Sequence, residues 1–249
     1  MIENQNTIVV IPARMASTRL PGKPMADING LPMIVQVWKR AIAAKVGQVL
    51  VAAAENVIAE AIRKVGGDAI VTTPGLASGS DRIAEALRLR DPGAKFRFVV
   101  NLQGDLPTID ALSIQRCLAG LANEEPDIST IAAQITDPAD VANPNIVKLI
   151  APLSTTREAA FARDFLRQLG PEHPAPWWHH IGVYAYRRAS LERFVNLPVS
   201  ARESERKLEQ MRALDNGMRI AAVRVETVPL GVDTYADLEI ARKMLRPTP

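Results

Sequence analysis

The sequence predicts an α/β fold in which a parallel sheet carries helices on its faces. Short β-branched runs alternate with amphipathic helical runs, and each connection is long enough for a crossover. The 249 residues, 47% hydrophobic, suffice for a full core in one large domain, or in one domain with a sizeable insertion.

The first strand is Thr7 to Ile11, rich in β-branched residues and expected to be buried on both faces. The loop after it runs from Pro12 to Pro24, with three prolines, one glycine, and cations at Arg14, Arg19 and Lys23. Proline removes N–H donors and fixes φ, so this segment is no regular helix but can hold a set shape. Three cations on a stiff loop at the end of a first parallel strand suit a nucleotide triphosphate. The same composition also fits a solvated basic loop.

Next come a helix over 32–42, a strand over 48–53, a helix over 55–65 closed by Gly66 and Gly67, and a strand over 69–72. Ser78 and Asp81 have capping-box spacing at the head of another helix. Preceded by small residues, that helix start is either an anion or base cradle or an ordinary cap. An apolar strand then ends in Gln103-Gly104-Asp105. A carboxylate there points into the crevice where α/β sheets bind ligands, which makes Asp105 a Mg²⁺ ligand or the cap of the following turn.

The rest reads as a helix over 110–122 and a strand over 127–135, then looser chain from about 138 to 187. That looser part holds an edge strand near 143–150 and a helix over 157–169. A strand from His180 to Arg187 is expected to alternate, with His180, Gly182, Tyr184 and Tyr186 opposite Ile181, Val183 and Ala185. His179 and His180, adjacent on a strand, face opposite ways and do not form one metal site. A continuous helix from about Ser204 to Leu214 buries Leu208, Met211 and Leu214, with Glu209 and Gln210 on another face. A strand over 219–225 leads to Asp233 and to a last helix capped by Thr234 and Asp237.

The net charge of +3 argues against general nucleic-acid binding. The single Cys117 excludes an internal disulfide and a multi-cysteine metal cluster, and its helical spacing with Ile114 and Leu121 places it in the core. The polar first residues and the lack of any membrane-length apolar run lead to the expectation of a cytoplasmic protein without membrane insertion.

The stretch IPARMASTRLPGKPMADINGLPMI resembles the signature of the sugar-acid nucleotidyltransferases, above all the branch acting on 3-deoxy-manno-octulosonate (Kdo). SGSDR, VNLQGDLP, H-I-G-V-Y, L-E-Q-M-R and G-V-D-T-Y-A-D-L-E resemble further blocks of that family. The resemblance implies a Rossmann-like nucleotide-diphosphosugar-transferase fold with a mixed, mainly parallel sheet and a dimerisation insert at roughly 138–190. It implies a homodimer that activates Kdo with CTP and Mg²⁺ to give CMP-Kdo and pyrophosphate, for lipopolysaccharide synthesis. Pro12, Ala13, Arg14, Arg19, Lys23, Ser78, Gly79, Arg82 and Gln103 would then bind the nucleotide, and Asp105 and Asp233 the metal. Gln103, His180, Tyr184, Glu209 and Gln210 would bind the sugar acid, with Arg19, Lys23, Asp105 and Asp233 as the catalytic set.

Two departures stand out. Leu106 replaces a residue that is often acidic, and Ala53-Ala54 replaces a polar pair. Sialic acid, methylerythritol phosphate or an 8-amino analogue of Kdo are alternative acceptors, and a nucleotide binder without turnover is an alternative class. A kinase-like phosphate loop is excluded, because Pro24 rather than Ser or Thr follows Gly22-Lys23.

Overall fold

The computed structural model describes residues 1–246 and groups the chain into two compact units, Ile2–Gln115 with the chain from Pro229 onward, and Arg116–Val228. In the first unit, β1 (Thr7–Ala13), β4 (Gln48–Ala53), β5 (Asp68–Val71) and β6 (Phe98–Asn101) form a parallel sheet in the order β5-β4-β1-β6. Its helices are α1 (Met33–Ala44), α2 (Asn56–Lys64) and α3 (Gly79–Arg90). A small hairpin, β2 (Asp27–Ile28) with β3 (Leu31–Pro32), precedes α1, and α4 (Ala111–Ala119) follows β6. All seven residues of β1 are buried, as a strand covered on both faces requires.

Register explains how β1 tolerates a proline. β1 pairs with β4 from Ile8 to Ala13, but its ladder with β6 stops at Val10 opposite Asn101. Pro12 therefore lies beyond the point where a donor toward β6 is needed.

The second unit holds β7 (Ile128–Ile135), α5 (Pro138–Ala142), β8 (Lys148–Ile150), β9 (Ala159–Phe161), β10 (Asp164–Leu166), β11 (Trp177–Arg187), α6 (Arg188–Val195), α7 (Ala201–Arg206), α8 (Met211–Asp215) and β12 (Ile220–Val225). Here β7 pairs in parallel with β12 and antiparallel with β11, while β9 and β10 pair antiparallel with β12 and β8. The last helix, α9 (Tyr235–Met244), returns to the first unit with the Thr234–Asp237 capping box in place.

Three expectations are corrected. Residues 157–169 form two short strands, not a helix. Their alanines and leucine favour helix by only tenths of a kcal/mol each (about 0.7 at most), and pairing with distant strands plus complete burial of Phe165 outweighs that. The helix expected over 204–214 breaks at Lys207, whose φ of 57° is left-handed, and the Glu203–Arg212 ion pair bridges the break with Nη2–Oε1 at 2.6 Å. The alternation of β11 is interrupted between Ile181 and Tyr184, so His180 and Ile181 are both buried, as are Ala185 and Tyr186.

Candidate active site

The site grows out of the end of β1. Met15 N–H donates to Glu55 Oε2 at 3.0 Å, and Leu20, 1% exposed, pins the middle of the loop. Gly22 closes the loop with φ 68°, a conformation that disfavours side chains, and its N–H reaches the Met15 carbonyl at 3.3 Å. This turn starts a short 3-10 helix at Lys23 and aims the lysine inward. Lys23 Nζ donates to Asp105 Oδ2 at 2.8 Å and to Asp233 Oδ1 at 3.0 Å. Arg19 Nη2 approaches Asp233 Oδ2 at 2.9 Å. Burial lowers the pKa of Lys23, but Asp105 and then Asp233 more than offset this, so the ammonium titrates above its ordinary range.

Backbone bonds bring the two distant aspartates together. Val232 N–H donates to the Asp105 carbonyl at 2.9 Å, and Leu230 N–H to Thr108 Oγ1 at 2.7 Å. The segment before α9 is thereby stitched to the loop after β6. Asp233 N–H donates to Asp237 Oδ2 at 3.1 Å, which orients the residue just ahead of the cap. Gly104 lets the loop carrying Asp105 lie against the end of β1, because a Cβ there would stand 2.9 Å from the Pro12 carbonyl oxygen. Sequence reasoning missed this role for Gly104, although the QGD triplet carried the signal.

Ser78 caps α3 as expected. Its Oγ accepts from Asp81 N–H at 3.1 Å, and Asp81 Oδ2 accepts from Ser78 N–H at 3.1 Å. Arg82, 3% exposed, is anchored by Thr72 Oγ1 at 2.5 Å and by the Thr73 carbonyl at 3.3 Å. Burial holds its pKa below the usual arginine value. Thr72 in turn donates to the Ala53 carbonyl at 3.0 Å, so the buried methyl at Ala53 adjoins a backbone relay to Arg82. Gln103 Nε2 is fixed by Asn101 Oδ1 at 2.9 Å.

A cavity of about 730 Å³ gathers these groups. Pro12, Ala13, Arg14, Arg19, Lys23, Ser78, Gly79, Arg82, Gln103, Asp105 and Asp233 all line it. It combines a cationic loop, a capped helix start and two carboxylates converging on one ammonium. Such a set can bind a polyphosphate and a cation together. Leu106 is buried and packs toward Gly231, so this departure is a packing residue.

His180, Tyr184, Glu209 and Gln210 lie in the second unit. His180 is 8% exposed, and burial, reinforced by His179, pushes its imidazole down to about 3. Burial, then Tyr186 and Glu209, pushes the Tyr184 phenol well above its ordinary value. Gln210 Nε2 is buried with no hydrogen-bond partner among the described residues, an uncommon state for a buried amide.

The family model described as cytidylyltransferase matches residues 8–220. The chain belongs to the cytidylyltransferase family. Among curated cytidylyltransferases, the 3-deoxy-manno-octulosonate cytidylyltransferase of Rhodospirillum rubrum is 55% identical over 96% of this chain and 95% of its own. That of Parvibaculum lavamentivorans is 54% identical over 96% and 92%. A solved CMP:2-keto-3-deoxy-manno-octonic acid synthetase complexed with CTP is similar at 36% identity and a TM-score of 0.87, covering 96% of this chain and 98% of that one. A 4-diphosphocytidyl-2C-methyl-D-erythritol synthase from Anaerococcus prevotii shares the fold alone, at 12% identity and a TM-score of 0.62 over 98% and 99%.

Proposed function

We propose that this cytidylyltransferase transfers the cytidylyl group of CTP to the anomeric hydroxyl of Kdo, forming CMP-Kdo and releasing pyrophosphate. The observation that carries the reading is the single cavity in which Arg19, Lys23, Asp105 and Asp233 meet beside the capped start of α3. The close relatives named for this reaction give it its acceptor.

The anomeric oxygen attacks the α-phosphorus as the bond from that phosphorus to the β-phosphate oxygen breaks. Little covalent work falls to the protein, and positioning with charge neutralisation does most of it. Arg14, Arg19 and Lys23 hold the triphosphate and meet the charge growing on pyrophosphate. The start of α3, with Ser78, Gly79 and Arg82, holds the nucleoside side. His180, Tyr184, Glu209 and Gln210 hold the sugar acid, and Gln210 Nε2, without a hydrogen-bond partner among the described residues, is a donor in need of an acceptor.

Asp105 and Asp233 fit a Mg²⁺ site. Both already bond the Lys23 ammonium at 2.8 and 3.0 Å, and among the described residues no group of three or more His, Cys, Asp or Glu is placed to hold a metal ion by itself, so the remaining ligands would come from substrate and water. Two carboxylates plus phosphate and water oxygens is the usual Mg²⁺ set. When bound, Mg²⁺ supplies neutralisation of phosphate charge and acidifies the attacking hydroxyl. A cytoplasmic homodimer belongs to the same proposal, and sedimentation tests the dimer. No helix among the described residues is long and apolar enough to cross a membrane.

The test is pyrophosphate release with CTP and Mg²⁺, comparing Kdo, its 8-amino analogue and sialic acid, with and without EDTA. Metal-dependent release with Kdo supports the reading. Release with another acid alone reassigns the acceptor. No release by a protein that binds CTP makes it a nucleotide binder.

A further inference from the structure

We propose that Thr130 is a positioning residue that holds His180 in its Nε2–H tautomer, leaving Nδ1 as an acceptor for a hydroxyl of the sugar acid. The inference deepens the proposed function and rests on its assignment of His180 to sugar binding.

Thr130 is fully buried on β7, opposite Tyr184 where the pairing with β11 shifts. The shift leaves the carbonyls of the irregular stretch without regular ladder partners, and the Thr130 hydroxyl meets them. Its Oγ1 lies 2.8 Å from the Val183 carbonyl oxygen, 3.3 Å from that of Ile181 and 3.0 Å from His180 Nε2.

A hydroxyl has one proton to give, and carbonyl oxygens only accept. If that proton goes to Val183, the imidazole must donate to Oγ1 from Nε2. If instead it goes to the ring, two carbonyl oxygens face the hydroxyl oxygen with no hydrogen between them, at 2.8 and 3.3 Å. The first arrangement satisfies the contacts and the second does not.

The ring is neutral at working pH, because burial pushes it down to about 3, so one nitrogen carries a proton and the other a lone pair. Phe165, edge-on with centroids 4.8 Å apart, and Tyr184, at 5.5 Å, hold its plane. Nδ1 has no hydrogen bond among the described residues, yet it is not one of the buried unpaired atoms. A neutral imidazole whose N–H is engaged inward offers only an acceptor outward. It takes a hydroxyl and turns away a carboxylate.

The test reads the histidine ring nitrogens by long-range NMR correlation in the full chain without substrate, assigned with His180→Gln. It is paired with KM values for Kdo and CTP in Thr130→Val and Thr130→Ser. The wild type and Thr130→Ser are expected to show a protonated-type shift at Nε2 and an unprotonated-type shift at Nδ1. Thr130→Val is expected to lose that pattern and to raise the KM for Kdo about tenfold, the loss of one oriented hydrogen bond, with the KM for CTP unchanged. An Nδ1–H tautomer in the wild type overturns the proposal. So does a Thr130→Val protein that keeps both tautomer and KM, or a Thr130→Ser protein that fails as badly as Thr130→Val. Parallel rises in both KM values assign Thr130 to the fold alone and overturn it too. Absence of Kdo turnover in the wild type overturns the proposed function and the sugar contact, whereas the tautomer is read with no substrate and is judged by itself.

Discussion

The N–H of Val232 donates to the carbonyl of Asp105 at 2.9 Å, and this bond sets the carboxylate of the next residue, Asp233, beside that of Asp105. Both carboxylates reach the Lys23 ammonium. Asp105→Asn or Asp233→Asn keeps the shape and the backbone bond but removes one charge from the cation site. Turnover is expected to fall by more than about 100-fold. The thermal midpoint should stay within a few degrees, read by calorimetry beside the pyrophosphate assay. Near-normal activity in either variant would discard the metal assignment.

Arg19 separates binding from stability. Its pair with Asp233 joins side chains that are 59% and 44% exposed, where an ion pair contributes about 0–1 kcal/mol. Arg19→Ala should therefore leave the melting temperature nearly unchanged. The same change removes a cation from the triphosphate cavity, so kcat/KM for CTP should drop at least about tenfold. A large loss of stability with intact CTP kinetics would place Arg19 in the scaffold instead.

The parts legible from sequence are those set by neighbours in the chain. The β-branched run at Thr7 to Ile11, the strand Gln48–Ala53 and the Ser78–Asp81 and Thr234–Asp237 boxes were readable because periodicity and capping act over a few residues. Residues 159–166 were not, because two three-residue strands draw their stability from partners on β12 and β8. The left-handed Lys207 carries no glycine to announce it, and the Glu203–Arg212 pair that spans it is visible only in three dimensions. The cluster at Lys23 was half legible. Each charged residue could be named, but their meeting depends on the Val232–Asp105 backbone bond and on the space left by Gly104.

Asp237 links pH to stability. Its burial raises the carboxyl pKa, but Thr234 Oγ1 and the N–H groups of Asp233 and Thr234 outweigh that, and the group titrates below its ordinary range. A folded-state pKa below the unfolded one stabilises the fold fully above the unfolded value, about 3.9, and the benefit fades as pH falls through the folded value. The melting-temperature gap between wild type and Asp237→Asn should stay constant from about pH 5 to 8 and shrink below about pH 4. A gap that widens in acid would contradict the assigned sign.

At Gly104 the loop after β6 lies close against the end of β1. A Cβ at this position would stand 2.9 Å from the Pro12 carbonyl oxygen, with Ile34 Cδ1 at 3.4 Å and Ala13 Cβ at 3.8 Å behind it. The nearest atom is backbone, so the methyl of Gly104→Ala cannot be absorbed by turning a side chain. The strand end and the loop must separate, carrying Asp105 away from Lys23. Overpacking of this kind costs about 1–3 kcal/mol, and in a chain of this size each kcal/mol lowers the melting temperature by about 2–4 °C. The displacement should also cut turnover by about 100-fold, because positioning errors of an ångström are that expensive. Thermal unfolding and pyrophosphate release on the same preparation check both. Gly104→Ala with unchanged melting and unchanged turnover would mean that the loop has slack, and that the approach of Asp105 to Lys23 is held by the Val232 bond alone.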